Sequence, residues 1–391
     1  MTEFIILMAS LMSVVAISID AMLPALGIIG TDLGVTNVNT TQLVISFIFL
    51  GMMMGHLICG PLSDALGRRP VLFAGLTLYA VGSVICYFAG SIEMLLAGRV
   101  IQGLGVSGPY VSTVAIVRDR YAGRDMARIM SLVMMIFILV PAIAPMLGQG
   151  ILYIATWREI FLFYILYGSA LGLWVFLRLP ETLHAEDKIP FSAAAIARGF
   201  KTVFKNRVTV CFMFCMGICF GSLIGYLNSC RQIFQDQFHT GDAFAFYFGG
   251  LALVIGVASL LNSRIVGKYG MRAICVRATM IIITASAIFL GINLTIPVEL
   301  WMFVTYAAIM FFCFGLMFGN LNAIAMEPMG HIAGIAAAVI GSVSSLVSLS
   351  VGTFIGQSYD GTLIPVVSGF FALNIVSLGL MLLAGKQSAQ A

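Results

Sequence analysis

Charge is what this sequence has least of. Asp, Glu, Lys and Arg make up 9% of the 391 residues, where a soluble domain carries about a quarter. A chain so poor in charge cannot coat itself with a polar surface, and this excludes a soluble enzyme. There is no phosphate-binding loop, no metal triad and no pair of carboxylates deep in an apolar stretch, so a membrane enzyme is not expected either. The eight cysteines all fall inside apolar stretches. Cys211, Cys215 and Cys219 share one helical face with no His or carboxylate beside them, which reads as small apolar packing and not as a metal site. The basic residues are scattered over many loops and leave no nucleic-acid footprint. The first residues carry Glu3 and no basic stretch, so a cleaved signal peptide is not expected.

What the chain has in quantity is apolar length. Apolar residues are 61% of it. Twelve membrane helices of roughly 20 residues would use about 240 residues, close to all of them. Hydropathy gives twelve spans, at 4–29, 42–62, 71–89, 94–117, 129–152, 160–179, 208–229, 243–261, 274–293, 301–325, 334–357 and 363–384. Strands of a barrel would be short and alternating, and these runs are neither. With the N-terminus inside, sixteen of the twenty Lys and Arg, Lys386 among them, fall in cytoplasmic loops. Arg158 and Arg231 fall outside, and Arg99 and Arg277 lie within spans. That asymmetry predicts that both termini are cytoplasmic.

The connectors are short except in the middle, and the chain divides there. Residues 1–180 form one six-helix bundle, 181–207 a cytoplasmic linker and 208–391 a second bundle. In the linker, Phe191, Ile196, Phe200, Val203 and Phe204 share a helical face opposite Arg198, Lys201 and Lys205. This is the pattern of a helix lying on the membrane surface, with a solvated linker as the alternative. Gly60-Pro-Leu-Ser-Asp64-Ala-Leu-Gly67-Arg68-Arg69 after the second span is echoed by Ser263–Arg272 after the eighth. The echo suggests two pseudo-symmetric halves with a site at their interface.

Deep charge is expensive, at least ~2.5–3.5 kcal/mol at mid-membrane, and therefore points to function. Of sixteen acidic residues only Asp20 is deep, ~13 Å from the outer end of its span. A carboxyl whose protonation depends on cavity wetness and on a nearby cation can load and release a proton. Arg99 in the fourth span, with Gln102 on its face, is the candidate cation. Two alternatives stay open: a static Asp20–Arg99 or Asp20–backbone pair, and an Arg99 that snorkels outward. Met22, Tyr226, Asn228 and Asn320 are candidates to line a cavity, and His56 is a second group able to titrate. Pro24 frees a backbone carbonyl at Asp20. Pro141, Pro145 and Gly148 predict a kinked fifth span with a smooth strip, and Gly341, Gly352 and Gly356 do so for the eleventh.

These motifs resemble the major facilitator superfamily. Gly60-x-Leu62-x-Asp64-x-x-Gly67-Arg68-Arg69 is similar to its signature between helices two and three. Closer still is the bicyclomycin/chloramphenicol-resistance (Bcr/CflA) group of drug:proton antiporters. Asp20-Ala-Met-Leu-Pro24, Ala97-Gly98-Arg99-x-x-Gln102-Gly103, Val117-Arg118-Asp119-Arg120-Tyr121, Pro141-x-x-Ala144-Pro145-x-x-Gly148, Trp157-Arg158 and Leu179-Pro180-Glu181-Thr182-Leu183 carry that likeness. It departs at Met22, where the group usually has Tyr, and at Ala144 and Gln149, where it commonly has Gly.

The resemblance implies an all-α polytopic membrane protein with twelve helices in two six-helix bundles. It implies that Asp20 is the proton and cation site and that Arg99 serves proton coupling. Pro145 and Gly148 would pack the two halves, and Asp64 and Arg68 would form a cytoplasmic latch that Gly60 permits. The expected function is proton-driven export of small amphipathic compounds across a bacterial inner membrane by a monomer. The expected partners are a small-molecule substrate, protons and the bilayer, with the proton gradient as energy source and no cofactor. Export of an endogenous metabolite, such as a siderophore or amino acid, is the alternative.

Overall fold

A computed structural model describes residues 2–121 and 123–385; Lys386 lies outside them. Every span is helical, because a backbone in hydrocarbon must satisfy its own hydrogen bonds. Twelve helical segments among the described residues are long and apolar enough to cross a membrane. The helices are α1 (Thr2–Asp20), α2 (Leu26–Asp32), α3 (Leu43–Leu66), α4 (Arg68–Tyr87), α5 (Ile92–Arg120), α6 (Gly123–Ile154) and α7 (Arg158–Arg178). They continue with α8 (Ala193–Lys205), α9 (Arg207–Arg231), α10 (Phe244–Tyr269), α11 (Met271–Thr295), α12 (Leu300–Met326), α13 (Ala333–Gln357) and α14 (Ile364–Leu383). Their outward apolar side chains suit lipid: Phe354 and Leu382 are 75% and 64% exposed, too much for a watery surface bearing so many of their kind.

Two departures from the simple hydropathy reading matter. The first span is broken. Helix α1 stops at Asp20, a 3-10 turn covers Leu23–Ala25 with Pro24 inside it, and α2 resumes at Leu26. Pro24 has no N–H to give to the preceding turn, so the break falls where the proline predicts it. In α6, by contrast, Pro141 and Pro145 both lie inside one uninterrupted helix.

The chain divides into two compact units, Met1–Ala193 and Ala194–Ala391. In the first, α5 packs on α3 and α4, α1 on α5, α6 and α7, and α4 on α7. In the second, α12 packs on α10 and α11, α9 on α12, α13 and α14, and α11 on α14. One pattern thus occurs twice, with α1 matched to α9, α3 to α10 and α5 to α12. The smooth strip expected along the eleventh span is found at Gly352, whose Cβ would strike Ile224 and the Gly221 carbonyl, and is shared with its partner helix. Gly217, Gly221 and Gly225 of α9 let Val347, Val351 and Ile355 of α13 lie against its backbone, whereas Gly341 faces open space.

The break around Asp20 and the clamp at Gly67

Asp20 is the last residue of α1 and is 5% exposed. No hydrogen bond or ion pair from another described residue reaches its carboxylate. Arg99, in α5, is fully buried, and it does not pair with Asp20. Its guanidinium is spent elsewhere. Nε donates to the Val44 carbonyl at 2.9 Å, Nη2 to the Ser18 carbonyl at 3.0 Å and Nη1 to Gln102 Oε1 at 2.6 Å. Of the two alternatives left open by the sequence, neither the static Asp20–Arg99 pair nor the outward-snorkelling Arg99 is found among the described residues. The physical reason is the break. A helix end leaves its last carbonyls short of partners, and the Ser18 carbonyl of α1 is one that Arg99 serves. A five-donor guanidinium answers that need better than an ammonium would.

The network spreads from there. Gln102 Nε2 donates to Ser83 Oγ at 2.7 Å, and Ser83 Oγ to the Tyr79 carbonyl at 2.7 Å. Ser18 Oγ donates to the Tyr79 hydroxyl at 2.9 Å. Tyr164 OH of α7 donates to the Ile17 carbonyl at 3.1 Å. Elements α1, α3, α4, α5 and α7 therefore meet around Arg99. Tyr79, Ser83 and Tyr164 were not singled out in the sequence, and Tyr and Ser in apolar runs give no signal of their own.

Gly148 packs just beyond Asp20. A Cβ there would strike the Ala21 carbonyl, so α6 sits against the backbone of the α1 break. Pro145 and Gly148 are buried, and the close approach of Gly148 is made inside the first unit. Met22 is buried at the break. The His56 ring lies 5.5 Å from that of Tyr110. In the second unit, Tyr226 meets the Phe311 ring edge-on at 4.8 Å. Asn228 donates to the Gly352 carbonyl at 3.2 Å. Asn320 and Asn262 exchange hydrogen bonds of 2.8 and 3.3 Å between α12 and α10. At least part of the polarity of Asn228 and Asn320 thus joins helices.

The loop between α3 and α4 is a clamp. Arg68 is buried and forms ion pairs with Asp64 at 2.5 Å and Asp119 at 2.8 Å. Gly67 has φ +119°, a conformation L side chains rarely adopt, and a Cβ there would sit 2.6 Å from Glu181 Oε2. Glu181 accepts from the backbone N–H groups of Arg68 and Arg69, each at 3.0 Å, and so caps the first turn of α4. Arg69 donates to the Phe176 carbonyl at 2.8 Å. The connector also returns to the clamp. Ile189 N–H donates to the Asp64 carbonyl at 3.0 Å, and Lys188 Nζ to the Leu66 carbonyl at 3.1 Å. Gly60 is less constrained than the motif suggests, since a Cβ there meets only Val111 at 4.0 Å. Asp119 and Glu181 lie within recognised motifs, but their pairing with Arg68 spans 51 and 113 residues, a separation that no local pattern encodes.

Partial burial would push the Glu181 carboxyl up, but hydrogen bonds from the backbone N–H groups of Leu183, Arg69, Arg68 and Thr182 outweigh it and hold it below the usual carboxylate range. A depressed folded value means that the clamp is fully made above that range and is lost as pH falls through it to the lower folded value. A Glu181→Gln variant keeps one acceptor oxygen and brings an NH2 among N–H donors. It is expected to cost on the order of 1 kcal/mol, as a lost cap does. Hydrogen exchange at the Arg68 and Arg69 amides should speed up in the variant at neutral pH, and in the wild type only on acidification.

Twelve apolar spans and two units with a repeated packing pattern define a polytopic all-helical membrane protein. The chain belongs to the Major Facilitator Superfamily, whose model matches residues 6–353. It is 30% identical to the uncharacterized MFS-type transporter YdgK of Bacillus subtilis, covering 92% of this chain and 90% of that protein. It is 27% identical to a bicyclomycin resistance protein homolog of Haemophilus influenzae, covering 96% and 94%. This agrees with the Bcr/CflA resemblance. The fold is shared with the human organic anion transporter MFSD10 at a TM-score of 0.70 and 17% identity, covering 98% and 99% of the two chains.

Proposed function

We propose that the protein is a proton-coupled exporter of small amphipathic compounds, working as a monomer by alternating access in a bacterial inner membrane. Both termini are cytoplasmic in this reading, and no cofactor is needed beyond the proton gradient. The observation that carries it is Asp20: a buried carboxyl at a helix break whose nearest cation candidate is committed to other partners. With no fixed counter-charge, Asp20 is held only by what its surroundings offer, a proton or a substrate group. Facing the cytoplasm, the deprotonated carboxylate helps to admit the compound. Facing outward, a proton taken from the periplasm weakens that hold, and the proton then leaves inward. Resistance relatives support a drug as cargo.

The test is reconstitution into liposomes with an imposed pH gradient. Chloramphenicol or bicyclomycin should move against the proton flow, and each addition of substrate should release protons in the opposite direction. Substrate flux that continues unchanged when a protonophore collapses the gradient would refute the coupling.

A further inference from the structure

Helix α8 is held at the end of membrane spans. Gly199 leaves no room for a side chain beside Ile335, near the start of α13, and Val203 is fully buried one turn on. Two residues after α8 ends, α9 begins at Arg207. The helix is therefore held near the starts of two spans, α9 and α13. Its buried edge is narrow. The expected single apolar face divides in two, with Gly199 against Ile335 and Val203 buried one turn on, and the Phe200 and Phe204 rings stacked 6.4 Å apart beside them. Phe204 is 49% exposed. Beyond the rings, Arg198, Lys201 and Lys205 are exposed three and four residues apart, and no acidic side chain among the described residues pairs with them.

We infer that α8 is a docking site for anionic phospholipid headgroups. Three unpaired cations on one strip supply the charge complement, and a half-exposed phenyl edge beside them matches the boundary between headgroup and acyl chain. A purely solvated helix would have no use for that edge. The long stems of Lys201 and Lys205 let the charges reach phosphates while the rings stay at the apolar side. This rests on the proposal that the connector lies at the cytoplasmic face, where anionic lipid is a normal component, but not on any assumption about the cargo.

The experiment places the full-length protein in nanodiscs of phosphatidylcholine alone or with about a third phosphatidylglycerol, and follows amide hydrogen exchange over residues 194–205. A cation near an anionic surface is worth roughly fivefold in partitioning. The anionic discs should therefore slow exchange by at least about tenfold. An Arg198→Gln/Lys201→Gln/Lys205→Gln variant should lose that response while exchange in the spans stays as in wild type. The double variant Lys201→Gln/Lys205→Gln should show an intermediate response. Equal exchange in both lipids, or a triple variant that still responds, overturns the assignment. So does slowing by inorganic phosphate in the neutral discs, which would mark a free-anion site. Because the readout needs no transport, a failed flux assay and a failed lipid response are separate outcomes.

Discussion

Asp20→Asn should reduce gradient-driven export to the level of empty liposomes while leaving the protein folded. Asn has nearly the shape of Asp and keeps one acceptor oxygen, but it cannot take up and release a proton. The carboxyl has no hydrogen-bonded or charged partner among the described residues that the substitution would orphan. Packing loss is therefore small. Removing an uncompensated buried charge can even help, since such a charge costs at least ~2.5–3.5 kcal/mol in a membrane interior. The expected signature is an unchanged or higher Tm together with no substrate-induced proton movement. Downhill counterflow of a labelled compound is the informative companion measurement: if it persists, binding and rocking survive and only coupling is gone. An Asp20→Asn protein that still exchanges protons for substrate would transfer the role to another group. His56 is then the next to examine, being a titratable side chain set against the Tyr110 ring in the same unit.

Much of this protein can be read from its sequence, because the bilayer leaves few choices. Runs of some twenty apolar residues can only be helices, and the carbonyl that Pro24 frees at Asp20 is where the first span, read as continuous, breaks. The smooth strip expected at Gly148 is a close approach in the structure, beside Ala21, whereas in the loop motif the tight glycine is Gly67, beside Glu181, and not Gly60. What could not be read is who answers whom across helices. Arg99 faced a choice between a carboxylate and backbone carbonyls of two neighbouring helices, and both use the same donors. Local spacing does not rank them; the three-dimensional position of the Ser18 and Val44 carbonyls does. The role of Glu181 was hidden for a related reason. A carboxylate capping a helix more than a hundred residues earlier looks, in sequence, like any acidic residue after a span.

The second large effect follows from Arg99. Arg99→Ala should be more destructive to the fold than Asp20→Asn, although both remove a buried charge. Without the guanidinium, Gln102 Oε1 loses its donor and the Ser18 carbonyl keeps only the Tyr164 hydroxyl at 3.4 Å, while the Val44 carbonyl, inside α3, retains its helix N–H. Each orphaned buried acceptor costs about 1–3 kcal/mol, so a loss of roughly 2–5 kcal/mol is expected. Arg99→Lys should recover only part of it, because an ammonium is a point charge on a flexible stem and cannot hold three acceptors arranged around a planar fork. Thermal unfolding in detergent or nanodiscs gives the order: wild type, then Lys, then Ala. Double-mutant cycles separate the two pictures of Arg99. Tyr164 serves the same helix end, with its hydroxyl 3.1 Å from the Ile17 carbonyl and 3.4 Å from that of Ser18. Tyr164→Phe should therefore couple to Arg99→Lys by about 0.5–3 kcal/mol, the range for residues in one network. Asp20→Asn should couple to it by less. If the order were reversed, an ion pair between Asp20 and Arg99 would dominate in the membrane, and the proton site would be one half of a salt bridge.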